Sequence, residues 1–219
     1  MFDGSTDLMK KAICLIILIM CSLSFQTSAH ALHTERKNTD IVVDYVYQKA
    51  HLKNKINYDV FKQAFIAYNK TKGKKKSLLT IIDYSKPSTQ KRFYVIDLKQ
   101  NKLLYKTYVS HGMNSGLLKA DEFSNKVNSH KTSLGTFLTE STYIGGNGYS
   151  LKLNGLTRGK NDNALKRYIV IHGAKYVSEK FIKRNGYLGR SWGCPALPEA
   201  IAKKIIDTIK GGSVIFAYA

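Results

Sequence analysis

The feature that most constrains the fold of this chain is a series of short apolar segments that begins near residue 78 and continues to the C-terminus. These segments are rich in β-branched and aromatic residues and are separated by polar or glycine-containing stretches, a pattern typical of strands. The predicted strands are Leu78 to Tyr84, Arg92 to Leu98, Leu103 to Ser110, Gly135 to Ser141, Tyr168 to His172 and Val214 to Tyr218. Pro198 to Lys210 instead has helical spacing and ends at Gly211 and Gly212, residues that commonly terminate helices. Residues 77–219 are therefore predicted to form one strand-rich domain.

The part of the chain before these strands has helical periodicity. Thr39 to Leu52 and Asn57 to Asn69 are predicted to be amphipathic helices, the second with Asn57 as its N-cap. A basic linker, Thr71 to Lys76, follows them. We therefore predict that residues 32–76 form a small N-terminal helical annex with a linker to the strand-rich domain.

Two stretches between the predicted strands are interpreted as long loops. Gly112 to Leu134 is polar, and Tyr143 to Asn163 is rich in glycine. Loops of this length in a compact domain are usually functional. The sequence has no glycine-rich phosphate-binding motif, no internal repeat and no histidine-rich metal-binding spacing. We therefore predict neither a cofactor nor a metal.

The N-terminus has the layout of a secretory signal peptide. Lys10 and Lys11 precede the apolar run Ala12 to Leu23, and a small-residue cleavage site ending at Ala31 follows. The apolar run is shorter than the roughly 20 residues that a membrane-spanning helix needs. Residues 1–31 are therefore predicted to be removed as a signal peptide, which would export the protein to the periplasm or cell envelope. A retained anchor is the alternative.

The chain is strongly basic, with 35 Lys and Arg against 15 Asp and Glu and a formal net charge of +20. Such an excess is compatible with nucleic acid, an acidic membrane or another anionic polymer as a partner. Removal of residues 1–31 would leave the net charge unchanged, so the exported part would carry all of it. For an exported protein we expect the anionic cell envelope as the partner and no nucleic acid. A solvated lysine-rich surface that aids solubility is the equal alternative.

Loss of the signal peptide would also remove Cys14 and Cys21 and leave Cys194 as the single cysteine. A cysteine nucleophile needs a partner that takes its proton or stabilises the thiolate, and histidine is the commonest one. His172 ends a predicted strand and precedes Cys194 in the chain. The residues alone leave two interpretations open. In the first, Cys194 and His172 form a catalytic dyad. In the second, Cys194 is a buried structural thiol and His172 is an unrelated histidine at the end of a strand.

The neighbours of Cys194 suggest how it would be activated. Pro195 suits the first turn of a helix, so Cys194 is expected at a helix N-terminus, where the macrodipole favours a thiolate. The backbone amides of Gly193 and Cys194 are predicted to hold the oxyanion, because Pro195 has no N–H. Ser191 is expected to orient this loop or assist proton transfer, and a turn-forming hydroxyl is the alternative.

The pairing of Ile171-His172-Gly173 with Ser191-Trp192-Gly193-Cys194 resembles the catalytic signature of the L,D-transpeptidase catalytic domain (YkuD-like) family. The murein L,D-transpeptidase catalytic domain-like branch is the closer match. Further similar segments, in order along the chain, are Val109 to Gly112, Phe123 to Asn125, Ser133 to Gly135, Ser150 to Leu153 and Gly189 to Leu197. The resemblance runs from about Leu78 to the C-terminus. It implies a mainly β (α+β) fold, a twisted sheet or barrel-like structure with flanking helices.

Two departures from the broader family bear on the site. Trp192 stands where most members have a second histidine, which implies that His172 alone acts as the base. The residue that usually orients the peptide after the cysteine is absent, so Arg190 is the expected substitute for binding a carboxylate. Trp192 is expected to stack on the substrate or to pack in the interior. His111 is expected to line the donor pocket or to be structural.

The activity implied by the resemblance is acyl transfer in peptidoglycan, without a cofactor. The Cys194 thiolate would attack the carbonyl of the third residue of a tetrapeptide stem, His172 would protonate the departing D-Ala, and a thioester would remain. Transfer to an amine of a neighbouring stem peptide makes an L,D-transpeptidase, and transfer to water makes an L,D-carboxypeptidase. A non-catalytic basic protein that binds the envelope is a further alternative.

Overall fold

The computed structural model describes residues 37–219, of which residues 37–49 are helical (α1). The chain divides into two compact units. The first ends at Tyr45, and the second is Val46–Ala219. The signal peptide predicted for residues 1–31 lies outside the described residues. Between residues 37 and 219, no helix is long and apolar enough to cross a membrane.

One mixed eight-stranded sheet forms the centre of the second unit. Its strands are β1 (Leu78–Asp83), β2 (Phe93–Asp97), β3 (Lys102–Thr107), β4 (Gly135–Gly145), β5 (Gly148–Gly155), β6 (Val170–Ala174), β7 (Ala196–Pro198) and β8 (Val214–Tyr218). The order in the sheet is β3-β2-β1-β8-β4-β5-β6-β7, and only the β1–β8 and β6–β7 pairs are parallel. The predicted mainly β (α+β) fold with flanking helices is confirmed.

Three further helices belong to this unit, α2 (Tyr58–Lys70), α3 (Glu179–Asn185) and α4 (Glu199–Ile209). Helix α2 begins as predicted, because Asn57 Oδ1 accepts hydrogen bonds from the Asp59 and Val60 amides at 2.8 and 3.3 Å. Its apolar face packs against β1 and β8. This part of the segment predicted as an annex therefore lies in the same compact unit as the sheet.

Helix α4 packs on the end of the sheet formed by β5, β6 and β7. Its buried residues are Ala202, Ile205, Ile206 and Ile209, and it packs against β5, β6 and β7. Their spacing of three or four residues places them on one face of the helix. Apolar burial of this face fixes β6 and β7 against the core, and these two strands position the candidate site.

The prediction of a loop over Tyr143 to Asn163 was wrong in its first half. Strand β4 continues to Gly145, and β5 follows after a tight turn at residues 146–147. Leu151 and Leu153 of β5 are fully buried. A glycine inside a strand marks a close backbone approach, and a Cβ on Gly155 would lie 1.8 Å from the Asn161 carbonyl oxygen. The glycine content of this segment therefore predicted a loop, but Gly155 lies in a strand and allows the backbone of Asn161 to pack closely against it.

Candidate active site

Parallel pairing of β6 and β7 places His172 and Cys194 in one site. His172 lies on β6 opposite Ala196 of β7, and Cys194 comes two residues before Ala196. Both side chains line a single cavity of about 540 Å³. The two residues of the hypothetical dyad are therefore brought together, although they are distant in sequence.

The wall of this cavity is cationic and aromatic. Its residues are Val127, Asn128, His130, Asn147, Lys166, Arg167, Tyr168, His172, Tyr176, Arg190, Ser191, Trp192 and Cys194. The lining includes Lys and Arg side chains but neither Asp nor Glu. A cavity of one sign of charge concentrates ligands of the opposite sign. Within residues 37–219, no group of three or more His, Cys, Asp or Glu is arranged to hold a metal ion.

His172 is held as a neutral base. Its Nδ1 lies 3.0 Å from the Gly173 carbonyl oxygen. A carbonyl oxygen can only accept, so Nδ1 carries the proton and Nε2 is the unprotonated nitrogen. Burial lowers the pKa of His172, and the Gly173 carbonyl opposes this shift to a smaller extent. The imidazole is therefore neutral near pH 7 and can take a proton at Nε2.

Cys194 is buried and protonated in this conformation. Its Sγ accepts a hydrogen bond from the Val170 amide at 3.4 Å, and its S–H donates to the Tyr168 carbonyl oxygen at 3.6 Å. Burial raises the pKa of the thiol more than the Val170 amide and the Arg167 charge lower it. The thiol and the His172 ring line the same cavity. In the part of the chain that the structure describes, no hydrogen bond joins them.

The prediction that Cys194 lies at a helix N-terminus was wrong. Residues 196–198 form strand β7, and α4 begins only at Glu199 with Pro198 as its N-cap. Pro195 therefore leads into an extended segment, which its fixed φ also permits. The macrodipole of α4 acts mainly within its own first turn, so it does not account for any thiolate at Cys194.

Ser191 closes the tight turn that carries Cys194. Its Oγ donates to the Cys194 carbonyl oxygen at 2.6 Å and accepts from the Gly193 amide at 3.1 Å. Gly193 has a φ of 113°, which favours glycine, and a Cβ there would lie 2.7 Å from the Lys131 carbonyl oxygen. The Gly193 amide, predicted as an oxyanion donor, is thus engaged with Ser191. Ser191 makes the contacts of a turn-forming hydroxyl.

His111 supports the same turn from outside the cavity. It is fully buried, and its carbonyl oxygen accepts from the Ser191 amide at 3.0 Å. Its Nδ1 accepts from Arg92 Nη2 at 2.7 Å, so Nε2 carries the proton and donates to the Gly116 carbonyl oxygen at 3.1 Å. Burial and the Arg92 charge lower the pKa of His111 to about 4. The contacts of His111 are therefore structural, and its side chain does not line the cavity that contains Cys194.

Arg190 and Trp192, the other predicted substrate-binding residues, both line the cavity. Arg190 Nη1 donates to the carbonyl oxygens of Met113 and Gly116 at 3.2 and 3.3 Å, which fixes its guanidinium at the wall. Trp192 is 71% exposed, and its ring stacks on His130 with centroids 4.8 Å apart. The alternative that Trp192 packs in the interior was wrong, and its contact with substrate stays a prediction.

Several lining residues were missed, chiefly His130, Arg167 and Tyr168. Tyr168 is 80% exposed and has a φ of 53°, an uncommon backbone conformation for a bulky residue. Arg167 and Tyr168 lie within three residues of the start of β6, the strand that carries His172, and this position was the one signal that could have indicated them. His130 had no such signal, because only the fold brings it onto Trp192.

The chain belongs to the L,D-transpeptidase catalytic domain family, whose model matches residues 52–218. The match begins inside the segment predicted as an annex and includes α2, the whole sheet, His172 and Cys194. The resemblance expected from the sequence motifs is confirmed. No curated protein sequence is significantly similar to the chain.

Solved structures of L,D-transpeptidases are similar to the chain at low identity. An L,D-transpeptidase from Mycobacterium smegmatis is 18% identical with a TM-score of 0.40, over 66% of this chain and 59% of that one. An L,D-transpeptidase from Mycobacterium tuberculosis is 13% identical with a TM-score of 0.42, over 66% and 58%. The helical cell shape determining protein Pgp2 from Campylobacter jejuni is 14% identical with a TM-score of 0.43, over 65% and 47%. The chain therefore spans less than two thirds of each.

Proposed function

We propose that this chain is a cysteine-dependent acyl-transfer enzyme of peptidoglycan, an L,D-transpeptidase. The observation that carries the proposal is the shared cavity, in which Cys194 lies with a His172 ring whose Nε2 is free to take a proton. Membership of the L,D-transpeptidase catalytic domain family supports stem peptides as the substrate class. Nothing in the proposed chemistry needs a cofactor.

In the first half of the reaction, the S–H of Cys194 leaves the Tyr168 carbonyl oxygen and gives its proton to His172 Nε2. The sulfur then forms a bond to the carbonyl carbon of the third residue of a tetrapeptide stem. When the tetrahedral intermediate collapses, the carbon–nitrogen bond to D-Ala breaks and His172 returns the proton to the departing amine. A thioester on Cys194 remains, and the imidazole is neutral again.

In the second half, an amine of a neighbouring stem attacks the thioester. His172 Nε2 takes a proton from this amine, the carbon–sulfur bond breaks, and Cys194 leaves as a thiolate that recovers the proton. The product is a cross-link between the third residues of two stems. Water in place of the amine gives L,D-carboxypeptidase activity through the same steps, so the two outcomes differ only in the acceptor.

The charge of the cavity fits a carboxylate-bearing peptide. Lys166, Arg167 and Arg190 line it without an acidic partner on the wall. Arg190 uses Nη1 for two backbone carbonyls, which leaves its Nε and Nη2 donors for a substrate carboxylate. We assign Arg190 as the anchor of the donor peptide and the exposed Trp192 as an apolar surface beside it.

The proposed reaction places the protein in the periplasm or cell envelope, in agreement with the signal peptide predicted for residues 1–31. The net charge of +20 suits attachment to an anionic envelope. An electrostatic attachment weakens as salt rises, because surface charges are screened within about 8 Å at physiological ionic strength. Sedimentation with purified cell walls over a salt series measures this directly.

The proposal is tested by incubating the protein with purified tetrapeptide muropeptides and analysing the products by mass spectrometry. We expect loss of D-Ala together with a cross-linked dimer, and neither product with Cys194→Ala. Ser77→Ala is the matched control, because it changes an exposed side chain outside the cavity by one atom. It should turn over substrate like the parent.

Each other result points to a specific alternative. Loss of D-Ala without a dimer identifies a carboxypeptidase. An unchanged substrate, with wall binding that is the same for the parent and Cys194→Ala, identifies a non-catalytic envelope-binding protein. Full activity of Cys194→Ala contradicts the proposed nucleophile.

A further inference from the structure

Arg167 joins two segments that meet at the cavity. Its Nη1 donates to the Ser124 carbonyl oxygen at 2.6 Å and also to Ser133 Oγ, and its Nη2 donates to Ser129 Oγ at 3.1 Å and the Lys131 carbonyl oxygen at 2.6 Å. All four acceptors lie on the loop of residues 112–134 (the 112–134 loop). A planar guanidinium can satisfy these acceptors at once, which a lysine ammonium on a flexible chain cannot reproduce.

The same guanidinium lies against the turn that carries the nucleophile. A Cβ on Gly193 would lie 3.2 Å from Arg167 Nη2 and 2.7 Å from the Lys131 carbonyl oxygen to which Nη2 donates. Arg167 and the 112–134 loop therefore pack directly on the residue before Cys194. No side chain could be added at Gly193 without displacing them.

Arg167 is also next in sequence to a residue that contacts the Cys194 thiol. The next residue, Tyr168, provides the carbonyl oxygen that accepts the Cys194 S–H at 3.6 Å. Burial lowers the pKa of Arg167 and raises the pKa of the Cys194 thiol, and the attraction between the guanidinium and a thiolate opposes both shifts. Arg167 is half-buried, so solvent screens this attraction less than it screens surface charges.

The other charged and titratable groups around Cys194 are arranged differently. His130, Lys166, Tyr168, His172, Tyr176 and Arg190 line the cavity with it, and Tyr84 is buried nearby. Arg190 is fixed to the carbonyls of Met113 and Gly116, and Lys166 is exposed. Of these lining cations, Arg167 is the one whose charge lowers the pKa of the thiol against the larger effect of burial, and its guanidinium also packs on the turn.

We propose that Arg167 is a positioning residue that holds the 112–134 loop against the Gly193–Cys194 turn and keeps a positive charge beside the sulfur when it ionises. The inference rests on Cys194 being the nucleophile of the proposed function. It adds a residue that no sequence motif around the cysteine indicated. Its two parts, the fixed loop and the charge, are separable by substitution.

The test measures alkylation of Cys194 by iodoacetamide against pH, on the full chain, with the adduct quantified on the peptide that contains Cys194. Arg167→Met should raise the midpoint of the profile by about one pH unit, which lowers the thiolate fraction about tenfold below the midpoint. Arg167→Lys keeps the charge and should leave the midpoint near that of the parent. Arg184→Met, an exposed arginine outside the cavity, is the matched control and should not move it.

Hydrogen exchange of residues 124–133 tests the other part. Both Arg167→Lys and Arg167→Met should exchange faster there than the parent, because each loses the fork of donors, whereas Arg184→Met should not. An alkylation midpoint that is unchanged in Arg167→Met, or is moved equally by Arg184→Met, contradicts the proposed effect of the Arg167 charge on the Cys194 thiolate. Hydrogen exchange of residues 124–133 that is unchanged in both Arg167 variants contradicts the proposal that Arg167 holds the 112–134 loop in place. Alkylation needs only the thiol, so these results stand apart from whether muropeptides are turned over.

Discussion

Two histidine–glycine pairs in this chain look alike in sequence and have opposite proton arrangements. At His111-Gly112, Nδ1 accepts from Arg92 and Nε2–H donates to the Gly116 carbonyl, so both nitrogens are occupied. At His172-Gly173, Nδ1–H donates to the Gly173 carbonyl and Nε2 is left free. The ring of His172 lines the cavity with Cys194, and that of His111 does not. A histidine's chemistry is thus set by which nitrogen its neighbours leave unoccupied.

The surroundings of the two rings explain the contrast. His111 is packed on a buried arginine, which must donate and therefore forces the ring to accept. His172 faces a carbonyl, which must accept and therefore forces the ring to donate at Nδ1. The first arrangement supports the turn at Ser191 through the His111 carbonyl oxygen, and the second leaves a nitrogen that can act as the base of the proposed reaction. The following predictions separate these two functions, beginning with the largest effect.

His172→Gln should lower turnover of muropeptides about 100-fold or more, because it removes the group that carries the proton. Thermal unfolding should change little, since the glutamine amide can still donate to the Gly173 carbonyl. His51→Asn is the control, as it removes an exposed histidine whose φ of 52° asparagine tolerates. Turnover within a few-fold of the parent would exclude His172 as the base.

Arg92→Met should lower the free energy of unfolding by about 3 kcal/mol. Arg92 is fully buried and donates to the carbonyls of Val109 and Lys86 as well as to His111. Its removal leaves these acceptors without a donor in the interior. Urea denaturation of the variant, with the exposed Lys91→Met as the matched control, measures the loss. Equal midpoints for the two variants would show that the buried cluster contributes no stability.

His111→Leu should lower the free energy of unfolding by about 1 to 3 kcal/mol, because Arg92 and the Gly116 carbonyl each lose a partner. Turnover per folded molecule should fall much less than in His172→Gln, since His111 touches the site only indirectly, through the Ser191 turn and through the Gly116 carbonyl that it shares with Arg190. Activity and folded fraction measured on the same sample distinguish the two effects. A loss of turnover as large as that of His172→Gln would contradict a structural role.

The last prediction concerns the dependence of stability on pH. Between pH 6.5, the usual pKa of histidine, and the lowered value of about 4, the unfolded chain binds a proton that folded His111 does not. The free energy of unfolding therefore rises with pH in this window and is lost as the pH falls. His172, whose pKa burial also lowers, acts in the same direction. Urea midpoints from pH 4 to 7 should vary less in His111→Leu than in the parent, and identical slopes would contradict this assignment.

The sequence predicted the elements whose signals are local. Asn57 caps α2 because its side chain accepts from the two amides that follow, and Val214–Tyr218 is a strand because it is continuously apolar. The motif segments predicted that His172 and Cys194 share a site, and both line one cavity, while their catalytic pairing stays a prediction. Strand β7 was missed because it has only three residues and follows a proline, a context that suits a helix start equally well.

Features that depend on contacts across the fold were not predictable. The occupied nitrogens of His111 depend on Arg92, which lies on a different strand connection. The stacking of Trp192 depends on the position of His130, and the contacts of Arg167 depend on where the 112–134 loop runs. None of these pairs is close in sequence, so local pattern carries no information on them.

The resting arrangement of Cys194 affects how readily oxidants would react with it in the location proposed for the protein. Oxidants attack the thiolate and convert it through sulfenic acid to irreversible acids. In this conformation Cys194 is 9% exposed and its S–H donates to the Tyr168 carbonyl oxygen, so the resting protein presents a poor target to peroxide. If the protein has the proposed activity and location, the arrangement that keeps the thiol protonated until His172 takes its proton should also slow the oxidation of Cys194.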